Sequence, residues 1–241
     1  MALGTLSQRL MNVSLATIIR KLRQRGLLAK APEDDLLDQI PRIALSEIVG
    51  RPMVRIDGLY SHVDGSLPLC DLLALLSVLV SRSPQTVLEI GTFNGYTTRL
   101  MALNLPDAEI HTIDLPENFS DSGGAGMPKD DWHLISARRV GSAYRADPSI
   151  TSVKQHFGDT AKYVFPTAEI FFIDGSHTYA YVRNDTEKAL MSSATKVLIW
   201  HDCDRNHPGV IRWLVEMVQT GYPVQHIEGT NLAILELRNH A

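Results

Sequence analysis

The side chains best suited to proton and metal chemistry lie in two short runs: Asp174 and His177 in Phe171-Phe-Ile-Asp-Gly-Ser-His177, and His201 and Asp202 in Val197-Leu-Ile-Trp-His-Asp202. Each group follows an apolar stretch that reads as a buried strand, and ligands of open α/β sheets bind beyond the carboxyl ends of strands. If the two strands are neighbours, all four side chains converge. Two carboxylates with an imidazole can hold a divalent cation and leave positions open for substrate oxygens. A second imidazole can act as a base. Singly, each acid could cap a helix and each histidine could be a satisfied polar residue at a sheet edge. Together at strand ends they point to a site, since acids and imidazoles gather at sites more than at random edges.

A third strand end supplies a cradle. Val87-Leu-Glu-Ile-Gly-Thr-Phe-Asn-Gly-Tyr96 reads as a buried strand entering a glycine turn that opens a helix. Gly91 and Gly95 remove Cβ atoms where the chain must turn and let a ligand approach. The third glycine of G-x-G-x-x-G is missing, and Glu89 places a carboxylate where a pyrophosphate would want amides. A cationic cofactor without phosphate fits this loop better. Asp114, about twenty residues beyond the turn, can accept hydrogen bonds from both hydroxyls of a ribose. Asp159, in Phe157-Gly-Asp-Thr, can accept from an adenine amino group or cap the next helix.

The elements that must position these groups alternate along the chain. Strands are expected at 86–90, 109–114, 152–156, 169–174 and 196–200, with helices near 97–103, 160–164, 179–191 and 209–220; such alternation makes a parallel sheet covered on both faces. The runs 224–227 and 231–237 are separated by Glu228-Gly-Thr, too short for a helical crossover, so they should pair antiparallel. The fold class is therefore α/β, doubly wound and mostly parallel, with an antiparallel C-terminal hairpin. Before it, 67–81 is a buried helix. Residues 1–64 form a helical N-terminal appendage, with a helix start at Pro32-Glu-Asp-Asp and a short strand at 54–56, and 65–241 form the cofactor-binding domain. A long insert at 115–150 holds Gly123-Gly-Ala-Gly126 and the basic residues Arg138, Arg139 and Arg145; such stretches are lids, binding loops or disorder.

The 241 residues suffice for one sizeable core but hardly for two full domains. With 44% hydrophobic and 21% charged residues, the composition is that of an ordinary soluble protein, and no apolar run is long enough to span a bilayer. Cys70 and Cys203 are far apart with no C-x-x-C pair, which argues against a disulfide framework and favours a reducing, cytoplasmic setting. A net charge of -4 gives no case for nucleic-acid binding. The N-terminus is locally basic: Arg9, Arg20, Lys21, Arg23, Arg25 and Lys30 precede the first acid, with Leu6, Leu10, Ile18, Ile19 and Leu22 at roughly helical spacing. An ordinary packed helix with a solvated basic face is the plain reading; contact with a membrane surface, an acidic substrate or a partner subunit, and a targeting role, are the others.

Taken together, the glycine turn, Asp114, the acidic strand ends and the tail hairpin resemble the class I S-adenosylmethionine-dependent methyltransferases, whose Rossmann-like sheet has seven strands and a reversed terminal strand. Asp-Gly-x-His-x-Tyr at 174–179 and His-Asp at 201–202 are similar to metal-dependent O-methyltransferases that modify sugars of natural products and glycolipids, with catechol O-methyltransferases more distant. The resemblance covers roughly residues 85–238. It implies S-adenosylmethionine held by Glu89, Gly91, Thr92, Asn94, Gly95, Asp114 and Asp159, a divalent metal, Mg²⁺ or Mn²⁺, on Asp174, His201 and Asp202, and His177 as general base. It implies a small-molecule hydroxyl acceptor, best a sugar, and a homo-oligomer. The chain departs from the family pattern at His201, where sugar and catechol relatives present a carboxylate; hard Mg²⁺ prefers oxygen, so manganese, iron or zinc also come into view.

A cation would have work to do. A sugar hydroxyl titrates near the value for water, about 15.7, and histidine near 6.5, so full proton transfer is uphill by about 9 units, or roughly 12 kcal/mol. A bound cation lowers the oxygen's pKa. Removal of the proton in concert with methyl transfer is the metal-free route, where positioning alone supplies about 7–11 kcal/mol. A phenol, titrating near 10, needs less help. Two rivals of other classes are weaker. A non-catalytic cofactor-binding assembly subunit has no use for His177 and Asp202, and a metal-dependent hydrolase leaves the glycine turn and Asp114 idle.

Overall fold

The computed structural model describes residues 36–57, 65–117, 119 and 138–237. The expected basic helix, the helix start at Pro32 and the Gly123–Gly126 part of the insert lie outside the described residues. In chain order the elements are β1 (Arg42–Ile43), α1 (Leu45–Ile48), α2 (Leu69–Arg82), β2 (Thr86–Ile90), α3 (Tyr96–Asn104), β3 (Glu109–Asp114), α4 (Ser142–Arg145), β4 (Val153–Phe157), β5 (Ile170–Ile173), α5 (Tyr179–Leu190), β6 (Val197–Trp200), α6 (Pro208–Gln219), β7 (Gln225–Ile227) and β8 (Ala233–Glu236).

The strands form one sheet in the order β1-β7-β8-β6-β5-β2-β3-β4. β8 runs antiparallel to both β6 and β7, while the other pairings are parallel. This is the expected mixed sheet with one additional strand. The eighth is β1, two residues long, which adds to the outer edge of β7 through Arg42 opposite His226 and Ile43 opposite Ile227. Nothing in so short a run distinguishes it from a loop by periodicity.

The central strands β5 and β6 are apolar throughout because both of their faces are covered. Leu88, Ile90, Phe171, Ile173, Leu198 and Trp200 face one core with Val182, Trp213 and Leu214 of α5 and α6. Val87, Ile110, Ile170, Phe172, Val197 and Ile199 face the other with Leu72, Leu76 and Met101 of α2 and α3. The alternation of side chains along a strand divides them in this way. Trp200 is fully buried, its indole N–H donating to Thr186 Oγ1 at 2.9 Å, so it is core. Residues 36–57 are tied to the same body: Ile40 packs into the first core and Val49 into the second.

Two local expectations fail. Residues 160–162 make a single turn closed by Lys162 and Tyr163 amides donating to Asp159 O, and no helix follows toward Pro166; a proline disfavours the helical conformation of the residue before it. Residues 54–56 form no strand and are held through the Arg55 amide, which donates to Asn104 Oδ1 at 2.6 Å.

Candidate active site

Parallel register puts the reactive strand ends side by side. Ile173 is opposite Trp200, so the next residues, Asp174 and His201, emerge together; the His201 amide donates to Ile173 O and the Asp174 amide to Ile90 O. A cavity of about 610 Å³ opens over these ends. Gly91 and Phe93 after β2, Asp114 after β3, Asp159 after β4, Asp174 and His177 after β5, and His201, Asp202 and His207 after β6 all line it. The N-terminus of α2, through Leu67 and Pro68, closes one side.

The glycine turn is shaped by backbone crowding. Gly91 has φ 101°, and a Cβ there would lie 2.0 Å from Asp174 O. The turn and the β5 end therefore pack backbone to backbone, a contact only glycine permits. Gly95 serves another neighbour: a Cβ on it would meet Gly141 Cα at 2.7 Å. Asn94 O likewise accepts from the Ala143 amide, so these two positions hold the α4 segment, and neither is among the cavity-lining residues. Thr92 is buried and bonded to Thr112 Oγ1. Phe93 turns the corner at φ 50°, an uncommon conformation for a residue with a side chain.

Glu89 is fully buried away from the cavity lining. Its Oε2 accepts from Thr98 and Thr112 hydroxyls, while Oε1 has no hydrogen-bond partner. Burial raises its carboxyl to about 8, against the two threonine hydrogen bonds that pull it down. Asp114 does reach the cavity, already well bonded. Its Oδ2 accepts from the Phe93 amide (2.8 Å), and its Oδ1 accepts from the Leu115 amide (2.7 Å) and from Arg138 Nη2 (2.7 Å). With about four lone-pair sites on a carboxylate, little acceptor capacity remains beyond these three bonds. Asp159 Oδ1 accepts from the Ala161 amide and, at 3.1 Å, from Tyr181 OH.

At the other end the polar groups answer one another. His177 Nε2 lies 2.7 Å from Asp202 Oδ2. His201 Nδ1 lies 3.0 Å from Asp174 Oδ1 and 3.3 Å from Asp202 Oδ1, and its Nε2 lies 3.0 Å from Asp71 Oδ2. His207 Nδ1 reaches Asp202 Oδ1 (3.3 Å) and Asp204 Oδ1 (3.1 Å), with its ring 4.5 Å from that of His177. Asp202 sits at φ 56°, a left-handed backbone that turns its carboxylate back toward both histidines; such strain persists where surrounding structure over-determines it. Gly209 in the first turn of α6 lets the helix press on the His177 backbone: a Cβ there would lie 2.3 Å from His177 O.

The charges follow. Burial alone would push the Asp202 carboxyl up, but hydrogen bonds from His177 and His201 hold it well below the usual carboxylate range. Burial raises Asp174, with His201 opposing the rise. Burial disfavours a charged His201, yet the surrounding Asp174, Asp202 and Asp71 carboxylates outweigh it and lift the imidazole well above its ordinary value.

These donors suit a cation. Asp174, His201 and Asp202 each offer one ligand atom, all within 4.8 Å of one another. Separations of 3.0 and 3.3 Å about His201 Nδ1 compare with about 3 Å between neighbouring ligands of an octahedral ion bound at about 2.1 Å. A divalent ion would replace the Nδ1 proton as the positive charge between the carboxylates. His177, Asp202 and His207 make a second grouping within the same limit.

Asp71 is the member that sequence reasoning missed. It lies in the apolar helix α2, fully buried, more than a hundred residues from His201. Its only signal was a charge within an otherwise buried helical face. Arg138 was noted as basic but not as the partner of Asp114.

The architecture, a mostly parallel sheet with one reversed strand near its C-terminus and a cavity over the strand ends, defines a class I methyltransferase fold. Residues 88–203 match the family model described as a methyltransferase domain, from within β2 to just past Asp202. That stretch, a little under half of the chain, is thus similar to a methyltransferase domain. Two solved structures share the fold. The SAH-bound methyltransferase PaMTH1 of Podospora anserina is 15% identical, with 73% of this chain and 81% of that chain covered and a TM-score of 0.50. The O-methyltransferase TomG from Streptomyces achromogenes, involved in tomaymycin synthesis and solved with SAM, is 19% identical, with 73% and 83% covered and a TM-score of 0.50. Among the described residues no helix is long and apolar enough to cross a membrane.

Proposed function

We propose that this protein is an O-methyltransferase that transfers a methyl group from S-adenosylmethionine to a hydroxyl of a small acceptor, best a sugar, with a divalent cation at Asp174, His201 and Asp202. One observation carries the reading: His177, in contact with Asp202, faces the same cavity that Gly91, Asp114 and Asp159 line. The SAM-bound O-methyltransferase TomG shares the fold and supports the same chemistry.

S-adenosylmethionine supplies a sulfonium methyl group. Gly91 lets the turn pack on the β5 end that borders the cavity, Asp114 would accept from the ribose with the capacity its three bonds leave, and Asp159 would accept from the adenine. The cation supplies a Lewis acid that makes an acceptor hydroxyl easier to deprotonate. His177 takes the proton, and Asp202 stabilises the imidazolium that results. Asp202 is suited to that task because its low pKa keeps it charged. Leu67, Pro68 and Phe93 offer apolar surface on the cavity wall, to which a phenol ring could also dock, so a phenol or catechol acceptor is the second reading.

Incubation with isotopically methyl-labelled S-adenosylmethionine and a panel of sugar and phenolic acceptors tests this. Label is expected on acceptor oxygen, with sugars favoured. Label confined to nitrogen or sulfur acceptors, or absence of cofactor binding by calorimetry, would remove the proposal. Chelation with EDTA should abolish turnover and Mn²⁺ or Mg²⁺ restore it; full activity in the chelated protein would remove the cation while leaving methyl transfer.

A further inference from the structure

We infer that Asp71 is a positioning residue that fixes His201 as a nitrogen ligand, and that the pair biases the site toward ions that accept imidazole, such as Mn²⁺, and away from Mg²⁺. The inference rests on the cation site proposed above and adds its selectivity.

The geometry is specific. Asp71 is completely buried at the N-terminal turn of α2. Its Oδ1 is pinned by the Asn231 amide at 3.1 Å and the Cys70 thiol at 3.3 Å, so Oδ2 is presented to His201 Nε2 in a fixed place at 3.0 Å. Nε2 is thereby committed to a hydrogen bond with Asp71, so Nδ1 is the ring nitrogen left for an ion, which would take the place of the Nδ1 proton. Nδ1 points between Asp174 Oδ1 and Asp202 Oδ1. A carboxylate behind a ligating histidine sets its tautomer and orientation and raises its basicity.

The selectivity follows from the donor set. Mg²⁺ demands oxygen ligands and near-ideal octahedral geometry, whereas imidazole nitrogen suits the first-row transition metals. An imidazole backed by a buried carboxylate is a stronger nitrogen donor than an exposed one, which widens the gap. The neighbouring main chain is also braced: the Cys203 amide donates to Asn231 O at 2.9 Å, so the segment that anchors Asp71 also anchors the corner carrying His201 and Asp202.

Binding of Mn²⁺ and of Mg²⁺ alone is to be measured by calorimetry on the full chain after stripping with EDTA, with the electron-spin-echo spectrum of the Mn²⁺ form recorded alongside. Mn²⁺ should bind at least tenfold more tightly than Mg²⁺, with echo modulation from a directly bonded ¹⁴N. Asp71→Asn should weaken Mn²⁺ binding by about 10–100-fold and change Mg²⁺ binding less. The double variant Asp71→Asn/His201→Glu keeps the number of carboxylates; it should lose the ¹⁴N modulation and prefer Mg²⁺. Mn²⁺ bound without nitrogen modulation would overturn the inference, as would Mn²⁺ affinity undiminished in folded Asp71→Asn. If Asp71→Asn does not fold, Asp71→Glu, which keeps the carboxylate but moves its oxygens, takes its place, and Mn²⁺ affinity undiminished in that variant would overturn the inference. Failure of both ions to bind would overturn this inference and the cation, whereas methyl transfer by the same chelated protein would leave the methyltransferase reading standing.

Discussion

The two halves of the cavity satisfy their polar groups in opposite ways. Around Gly91 and Asp114 the protein completes its own hydrogen bonds, with backbone amides and Arg138 on Asp114 and a backbone carbonyl filling the space beside Gly91. Around Asp174 and Asp202 the partners are ionisable side chains: three imidazoles shared among carboxylates. The first arrangement is a mould whose shape depends on the fold. The second is a set of charges that can change occupants, so protons or a cation can come and go without remaking the backbone. The two ends of the cavity are thereby built from different materials.

Substitutions can break this contrast, beginning with the largest effect. His177→Ala should reduce turnover by about 10²–10⁴-fold while cofactor affinity, measured by calorimetry, is unchanged; an equal loss of both would mean that the halves are not separable. Asp114→Ala should cost stability as well as cofactor, because it removes the carboxylate paired with Arg138, whose side chain is 2% exposed and keeps the Leu115 carbonyl as an acceptor. Removing one partner of a buried pair costs about 3–5 kcal/mol. Denaturant unfolding should then show Asp114→Ala/Arg138→Ala recovering much of the stability while cofactor binding stays lost. Recovery of binding as well would show Asp114 to be a purely structural residue.

A smaller effect sharpens the role of Glu89. A carboxyl whose native-state pKa is raised from 4.5 to about 8 binds its proton more tightly when folded. Native stability is therefore fully present below the unfolded value and falls as pH rises toward the native one. Glu89→Gln removes that slope. Its thermal midpoint should gain on wild type at pH 8 relative to pH 5, and a gain independent of pH would show that Glu89 is charged throughout.

Much of this was legible because it is local. Strands buried on both faces are continuous apolar runs, and Asp174, His201 and Asp202 directly follow two of them, so the pairing of β5 with β6 brings them together without further information. Asp71 was not legible, since its meeting with His201 depends on how α2 docks across the sheet. Glu89 was expected at the lip of the cavity; its burial with Thr98 and Thr112 depends on the neighbours it meets on β3 and α3. Asn94 and Gly95 follow the glycine turn as a cofactor loop would, yet they receive α4, which arrives from beyond the insert.

Gly209 has a practical bearing on anyone wishing to change what this enzyme accepts. Because α6 rests directly on the His177 carbonyl, a side chain introduced at 209 would displace His177 before it altered the rest of the cavity wall. A mutant library that included this position would mostly collect inactive clones. Diversity placed instead at Asn206, on the cavity wall and one turn earlier, would alter the acceptor's surroundings with the helix still seated.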